Sequence, residues 1–188
     1  MIKIYSDGAA TMKCIDGEYQ RGNGGWAWAA INNDELIKAD YDHQETTTNN
    51  RMELTAILMA LKAYKNERNI DIYSDSAYCV NMLKEKGWIY SWANNNWTRG
   101  KKHEPIENID IIKQIYEYLQ NGNISFYKVT GHSINKWNNF VDKLAVEGKT
   151  GNIRNEYIKS LDIINEVEMK NKIIKDILEK ENIYARKF

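Results

Sequence analysis

The chain is short of proline, with one, and of cysteine, with two, and its 26 basic residues are cancelled by 26 acidic ones. Each scarcity excludes something. Cys14 and Cys79 lie far apart and outside any metal-ligand spacing, so a disulfide scaffold or a cysteine zinc site is excluded and a reducing compartment is indicated. Cys79 is expected inside a helix and Cys14 in a loop. A net charge of zero means that attraction to nucleic acid must come from a local patch, not from the field of the whole molecule. No apolar run reaches the roughly 18 residues that a membrane-spanning helix needs, and no signal-peptide pattern precedes the first strand. The simplest expectation is a soluble cytoplasmic protein that makes no membrane contact.

Glycine, tryptophan and proline are also missing from one part of the chain. All eleven glycines, all six tryptophans and Pro105 lie at or before Gly151, and residues 152–188 are rich in Ile, Lys, Glu and Asn. That shift divides a domain over residues 1–149 from an extension over 150–188. Within the extension Ile153, Tyr157, Leu161, Ile164, Val167, Ile174, Ile177 and Leu178 recur at spacings of three, four or seven, the pattern of one or two amphipathic helices. Such a stripe docks on its own domain, on a second copy or on a protein partner.

Before the boundary, alternation predicts strands over 2–7, 25–31 and 35–41, with a glycine-punctuated loop over 17–25 and short polar links that favour an antiparallel run. Leu54, Ile57, Leu58 and Leu61 mark a helix over 50–64. A strand over 70–74, a helix over 77–86, a tryptophan-rich stretch over 88–97, a basic turn over 99–104, a helix over 108–121, a strand over 124–129 and a helix over 138–147 complete the order βββαβα(α)βα. The order predicts a mixed sheet with helices on its faces.

The chemistry is located by an echo. Ile2-Lys3-Ile4-Tyr5-Ser6-Asp7-Gly8-Ala9 reappears as Ile70-Asp71-Ile72-Tyr73-Ser74-Asp75-Ser76-Ala77, and both copies end a strand-like run on aspartate. If the two strands are parallel neighbours, their carboxylates meet at the sheet edge where open α/β sheets bind ligands. Like charges that close repel, so either one keeps its proton or a cation sits between them. A chance likeness of two Ile-rich strands, each ending on a turn-forming aspartate, explains the echo equally well. Three other residues also have ordinary readings when taken singly: Glu53 closes a capping box with Asn50, Asp142 is a solvated helical acid, and His132 is a loop histidine.

The pieces occur together, however, and in order: Tyr-Ser-Asp-Gly, Asn-Asn-Arg-Met-Glu-Leu, Tyr-Ser-Asp-Ser, then Val-Thr-Gly-His-Ser followed by Asp142. In this the sequence resembles the type 1 ribonuclease H family over about residues 1–149. The resemblance implies an RNase H-like mixed five-stranded sheet flanked by helices, with the C-terminal helical extension added. It implies a metal-dependent endonuclease that cuts the RNA strand of RNA/DNA hybrids, with Asp7, Glu53, Asp75 and Asp142 holding two Mg²⁺ ions, Mn²⁺ being able to substitute, and Asp7 bridging. Magnesium's preference for carboxylate oxygen and retained water agrees with that set. His132 matches a histidine that moves protons or assists product release. Thr48, Asn49, Asn50 and Asn108 match substrate contacts, and Trp92, Trp97, Arg99, Lys101 and Lys102 occupy the place of a basic protrusion that holds the DNA strand. The alternative for the protrusion is core packing by the tryptophans, Trp88 above all, beside a solvated charge cluster. The chain departs from the family in a longer segment after Asp7, in Ala77 where many relatives carry a long amide, and in Asn94-Asn95-Asn96 where a basic run is usual. Two other readings share the carboxylates: a binding module with a decayed site, and a DNA-directed transposase or junction resolvase.

Overall fold

The computed structural model describes residues 1–131, 135–151 and 163–181. Five strands form the main sheet: β1 (Ile2–Ile15), β2 (Glu18–Asn32), β3 (Glu35–Gln44), β4 (Asn69–Ser74) and β7 (Asn123–Lys128), in the order β3-β2-β1-β4-β7. The first three are antiparallel, whereas β1–β4 and β4–β7 are parallel. The expected mixed sheet is therefore present. Two short strands, β5 (Thr98–Arg99) and β6 (Glu104–Pro105), make a separate ribbon. The helices among the described residues are α1 (Asn49–Ala63), α2 (Ala77–Leu83), α3 (Trp88–Asn94), α4 (Ile109–Asn121), α5 (Lys136–Thr150) and α6 (Ile163–Lys180).

Strand alternation divides the core into two layers. Ile4, Trp26, Trp28, Ala30, Ile70 and Ile72 face α1, α2 and α4, and Tyr5, Ala27, Ala29 and Ile31 face α5 and α6. From Gly24 to Ile31, β2 is buried along its whole length because helices cover both faces. On the second face α5 comes so close that a Cβ on Gly25 would collide with the backbone of Ala145, Gly148 and Lys149, and one on Gly148 would lie 2.5 Å from the Asp42 carbonyl oxygen. Helix α6 extends that layer: Ile174 and Leu178 are buried beside Trp137, Phe140, Val141 and Leu144. The stripe of the extension thus docks on the chain's own domain at these two residues.

Several expectations change. The segment after Asp7 is not a loop: β1 continues to Ile15 and pairs with β2 through a bulge between Ala10 and Met12. Its turn is Asp16-Gly17, both at positive φ, the two-residue hairpin signal that the neighbouring glycines obscured. Cys14 therefore lies in a strand, exposed, while Cys79 is buried in α2 as expected. Helix α2 ends at Leu83, three residues before the expected Lys86, because Lys84 turns to extended backbone. The cap of α1 is Thr48, whose Oγ1 accepts from the Arg51 N–H at 3.3 Å, so Asn50 does not form a capping box with Glu53. Trp88 is 46% exposed and leans on Tyr78 and Trp92 at ring distances of 6.1 and 6.2 Å, so it is not a core residue. No described helix is long and apolar enough to cross a membrane.

Candidate active site

The sequence echo becomes physical contact. β1 and β4 lie side by side in parallel with Ile2 opposite Ile70 and Tyr5 opposite Tyr73, and the two tyrosine rings stack at 5.0 Å. Two residues further along, Asp7, still within β1 and paired with Ala27, stands beside Asp75, which lies just past the end of β4. The first turns of α1 bring Glu53 to them, and the approach is close enough that a Cβ on Gly8 would overlap the Met52–Glu53 backbone. Carboxylate oxygens of Asp7, Glu53 and Asp75 all lie within 4.8 Å of one another. Asp7 and Glu53 are buried and Asp75 half-buried.

Burial of like charges has a measurable consequence. The Asp7 carboxyl is pushed up to about 7, first by burial and then by the Asp75 charge, with Asp142 adding to it; the Gly8 N–H, which donates to Oδ1 at 2.7 Å, works in the opposite direction. Glu53 is also raised well above the carboxylate range by burial and by Asp7 and Asp75, and its Oε2 is buried with no donor among the described residues. Without a cation the corner must hold protons at neutral pH. A donor set made only of carboxylate oxygens, one of them orphaned, fits a hard divalent cation such as Mg²⁺.

Asp142, half-buried on α5, lies outside the mutual cluster of three but acts on Asp7 through space. Four residues before it, and so on the same side of the helix, Asn138 is 1% exposed and donates through Nδ2 to Asp75 Oδ2 at 3.5 Å. Among the described residues its Oδ1 has no partner. Gly131 also lies against Asp75: a Cβ there would stand 2.7 Å from Oδ2. Sequence reasoning missed Asn138, although a polar residue between Trp137 and Phe140, one helical turn from Asp142, was the available signal. His132 lies outside the described residues.

The expected substrate residues fall into two groups. Around the start of α1, Thr48, Asn49 and Asn50 stand one turn before Glu53; Asn49 Oδ1 accepts from the Ala10 N–H at 2.7 Å, and Asn50 is exposed. Arg51 joins them to α4, donating to Asn108 Oδ1 at 3.2 Å and to both Asp110 carboxylate oxygens at 3.0 and 2.6 Å. This organising arginine was also missed. The second group surrounds the β5–β6 ribbon. Arg99 is exposed and paired with Glu104 at 3.4 Å, and Lys101 and Lys102 lie exposed in the turn. Trp92 and Trp97 are half-buried: Trp97 packs edge-on against Tyr116 at 5.3 Å with Lys113 above its ring, and Trp92 leans on Trp88.

The sequence profile of the RNase H family matches residues 1–150. The ribonuclease H of Thermoanaerobacter pseudethanolicus is 40% identical over 154 residues, covering 82% of this chain and 93% of the relative. That of Caldanaerobacter subterraneus subsp. tengcongensis is 41% identical over 147 residues, covering 78% and 90%. Among solved structures, the PFV RNase H domain superposes with a TM-score of 0.66 at 22% identity over 79% of this chain and 94% of that one. The foamy viral protease-reverse transcriptase, solved in complex with RNA/DNA hybrid, gives 0.67 at 20% identity over 79% of this chain and 20% of that one. The structures carry the fold and the sequence relatives carry the family: the chain belongs to the ribonuclease H family of endonucleolytic phosphodiester hydrolases.

Proposed function

We propose that the chain hydrolyses the RNA strand of RNA/DNA hybrids by a two-metal-ion mechanism, with Asp7, Glu53, Asp75 and Asp142 as the metal ligands and residues 1–149 as the catalytic domain. The single observation that carries this reading is the corner itself, where carboxylate oxygens of Asp7, Glu53 and Asp75 lie within 4.8 Å of one another and a buried Glu53 oxygen has no partner among the described residues. A structural role for such a cluster would cost stability and return nothing. Two bound Mg²⁺ ions would supply an activated water and stabilise the attacking and leaving oxygens of in-line phosphoryl displacement.

The protein's own contribution is placement. The in-register pair β1–β4 sets Asp7 beside Asp75, α1 brings Glu53 and α5 brings Asp142. Asn138 donates to the Asp75 carboxylate, and Gly131 leaves room beside it that a side chain would fill. His132 is assigned the proton-transfer or product-release role. Choice of RNA requires groups that meet 2′-hydroxyls across the minor groove of an A-like duplex. Asn50 and the free face of Asn49 are assigned to that task, Thr48 and Asn108 to phosphate contacts on the DNA strand, and the ribbon with Trp92, Trp97, Arg99, Lys101 and Lys102 to the duplex beyond. Two free cysteines fit a reducing cytoplasm as the place of work.

One assay tests the reading: uniformly labelled RNA/DNA hybrid, double-stranded RNA, double-stranded DNA and a four-way junction, each with and without Mg²⁺ or Mn²⁺. Cleavage of the RNA strand of the hybrid alone, and only with metal, is expected. Cutting of the junction, or cleavage that survives chelation, overturns it.

A further inference from the structure

Helix α5 carries Asn138 and Asp142 on the side that faces the carboxylate corner, and it is held from another side by α6. Ile174 and Leu178 of α6 are buried at 4% and 2% exposure in the layer formed by Phe140, Val141 and Leu144 of α5. Glu181, immediately after α6, pairs with Lys143, the residue next to Asp142. At the other end of the described side chains Lys170 reaches Asp40 at 3.5 Å and Asp42 at 3.7 Å on β3, and lies over the Tyr41 ring at 5.9 Å. Helix α6 is therefore anchored both to the sheet and to α5, and spans the two.

From this we infer that the C-terminal helix is a positioning element for the metal site: by clamping α5 against β3 it sets where Asp142 and Asn138 stand relative to Asp7 and Asp75. The inference rests on the reading of Asp142 as a metal ligand. Asp7, Glu53 and Asp75 come from β1, α1 and the end of β4, which are tied to one another by strand pairing and by packing on the sheet's other face. Asp142 is delivered by α5, the helix that α6 holds, whereas the helix of Glu53 is braced by α4 through Arg51. A shift of α5 would leave three ligands in place and misplace the fourth. Partners that orient metal ligands are worth about 10- to 100-fold in metal affinity when lost, whereas a helix that contributes only apolar burial changes melting without changing ion binding in the folded state.

The test is a thermodynamic cycle on the full chain, read by calorimetric titration with Mg²⁺ alone in the absence of substrate. Replacing Ile174 and Leu178 together by alanine should weaken Mg²⁺ binding by about 10-fold, and should add nothing further in an Asp142→Asn background, because the fourth ligand is already lost. The milder Glu181→Gln, which removes the pairing with Lys143 while keeping the apolar contact, should weaken binding in the same direction and show the same non-additivity; it serves alone if the double variant does not fold. Unchanged Mg²⁺ affinity in the folded variants, or equal loss with and without Asp142, overturns the inference and leaves α6 as a cover for the core. If Asp142→Asn itself leaves Mg²⁺ affinity unchanged, the assignment of the fourth ligand fails first.

Discussion

Two charged regions of this molecule are built on opposite terms. At the carboxylate corner, Asp7 and Glu53 are buried among like charges and both are raised out of the usual carboxylate range. At the β5–β6 ribbon, Arg99, Lys101 and Lys102 stay exposed, and Arg99 finds its counter-charge on the facing strand in Glu104. The ribbon costs the fold almost nothing, since exposed pairs contribute only about 0–1 kcal/mol. The corner is retained against its own repulsion. The contrast separates charges that need a ligand to be tolerated from charges that merely wait for one, and it ranks the consequences of altering each.

The largest effect belongs to Asp7→Asn, which removes the acid at the centre of the corner. Hybrid cleavage should fall by at least about 10³-fold, in the upper range for loss of one preorganised electrostatic group, while the fold persists. Gel assays of RNA-strand cleavage in Mg²⁺ check the first point and circular dichroism the second. His132→Ala should act next, slowing turnover by about 10²-fold, as expected for an assisting acid or base. Its Mg²⁺ affinity by calorimetry should match the wild type, because a helper that is not a ligand leaves ion binding alone.

The corner also predicts a pH dependence with a definite sign. A carboxyl raised in the folded state binds its proton more tightly there than in the unfolded chain, so its contribution to stability is present at low pH and is lost as pH rises from the ordinary carboxylate range through about 7. Metal-free protein should therefore melt at progressively lower temperature between about pH 4 and pH 7, losing about 1.4 kcal/mol for each tenfold by which the folded carboxyl holds its proton more tightly than the unfolded one. Added Mg²⁺ should raise the melting temperature more at pH 8 than at pH 5, where protons compete with the ion.

The ribbon gives the smallest effect on chemistry and one confined to binding. Replacing Arg99, Lys101 and Lys102 by alanine on an inactive Asp7→Asn background should flatten the slope of log affinity against log salt by roughly two to three units. With Asp7 intact, the maximum rate at saturating hybrid should hardly change. A slope that does not move would place these side chains on a solvated face, and the comparison with the corner would lose one of its halves.

Legibility in the sequence divides along the same line. The Asp7–Asp75 pair was readable because the two strands that carry it pair in register, Ile2 with Ile70 and Tyr5 with Tyr73, so likeness along the chain and proximity in space coincide. Glu53 was not readable by spacing: Asn50 to Glu53 has the form of a capping box, and only the ordered set of motifs pointed inward. The structure moved the cap to Thr48. Asn138 was hidden for the opposite reason, since one of two adjacent asparagines between Trp137 and Phe140 resembles an ordinary helix residue until Asp75 lies against it. The β1–β2 hairpin was misread because Gly22, Gly24 and Gly25 suggested a loop, whereas Gly24 and Gly25 are buried where neighbouring chain approaches closely. Trp88 misled by composition, because its partners Tyr78 and Trp92 form a cluster that the core does not enclose.

The central claim is that the corner's stored repulsion exists to be relieved by a divalent cation. Its most direct test is the melting temperature of wild type and Asp7→Asn at pH 8, each measured free of metal and again with saturating Mg²⁺. Relief of like-charge crowding predicts that metal-free Asp7→Asn melts as high as the wild type or higher, that Mg²⁺ raises the wild type clearly, and that it barely moves the variant. A metal-free wild type that outlasts Asp7→Asn, with both responding equally to Mg²⁺, would contradict it.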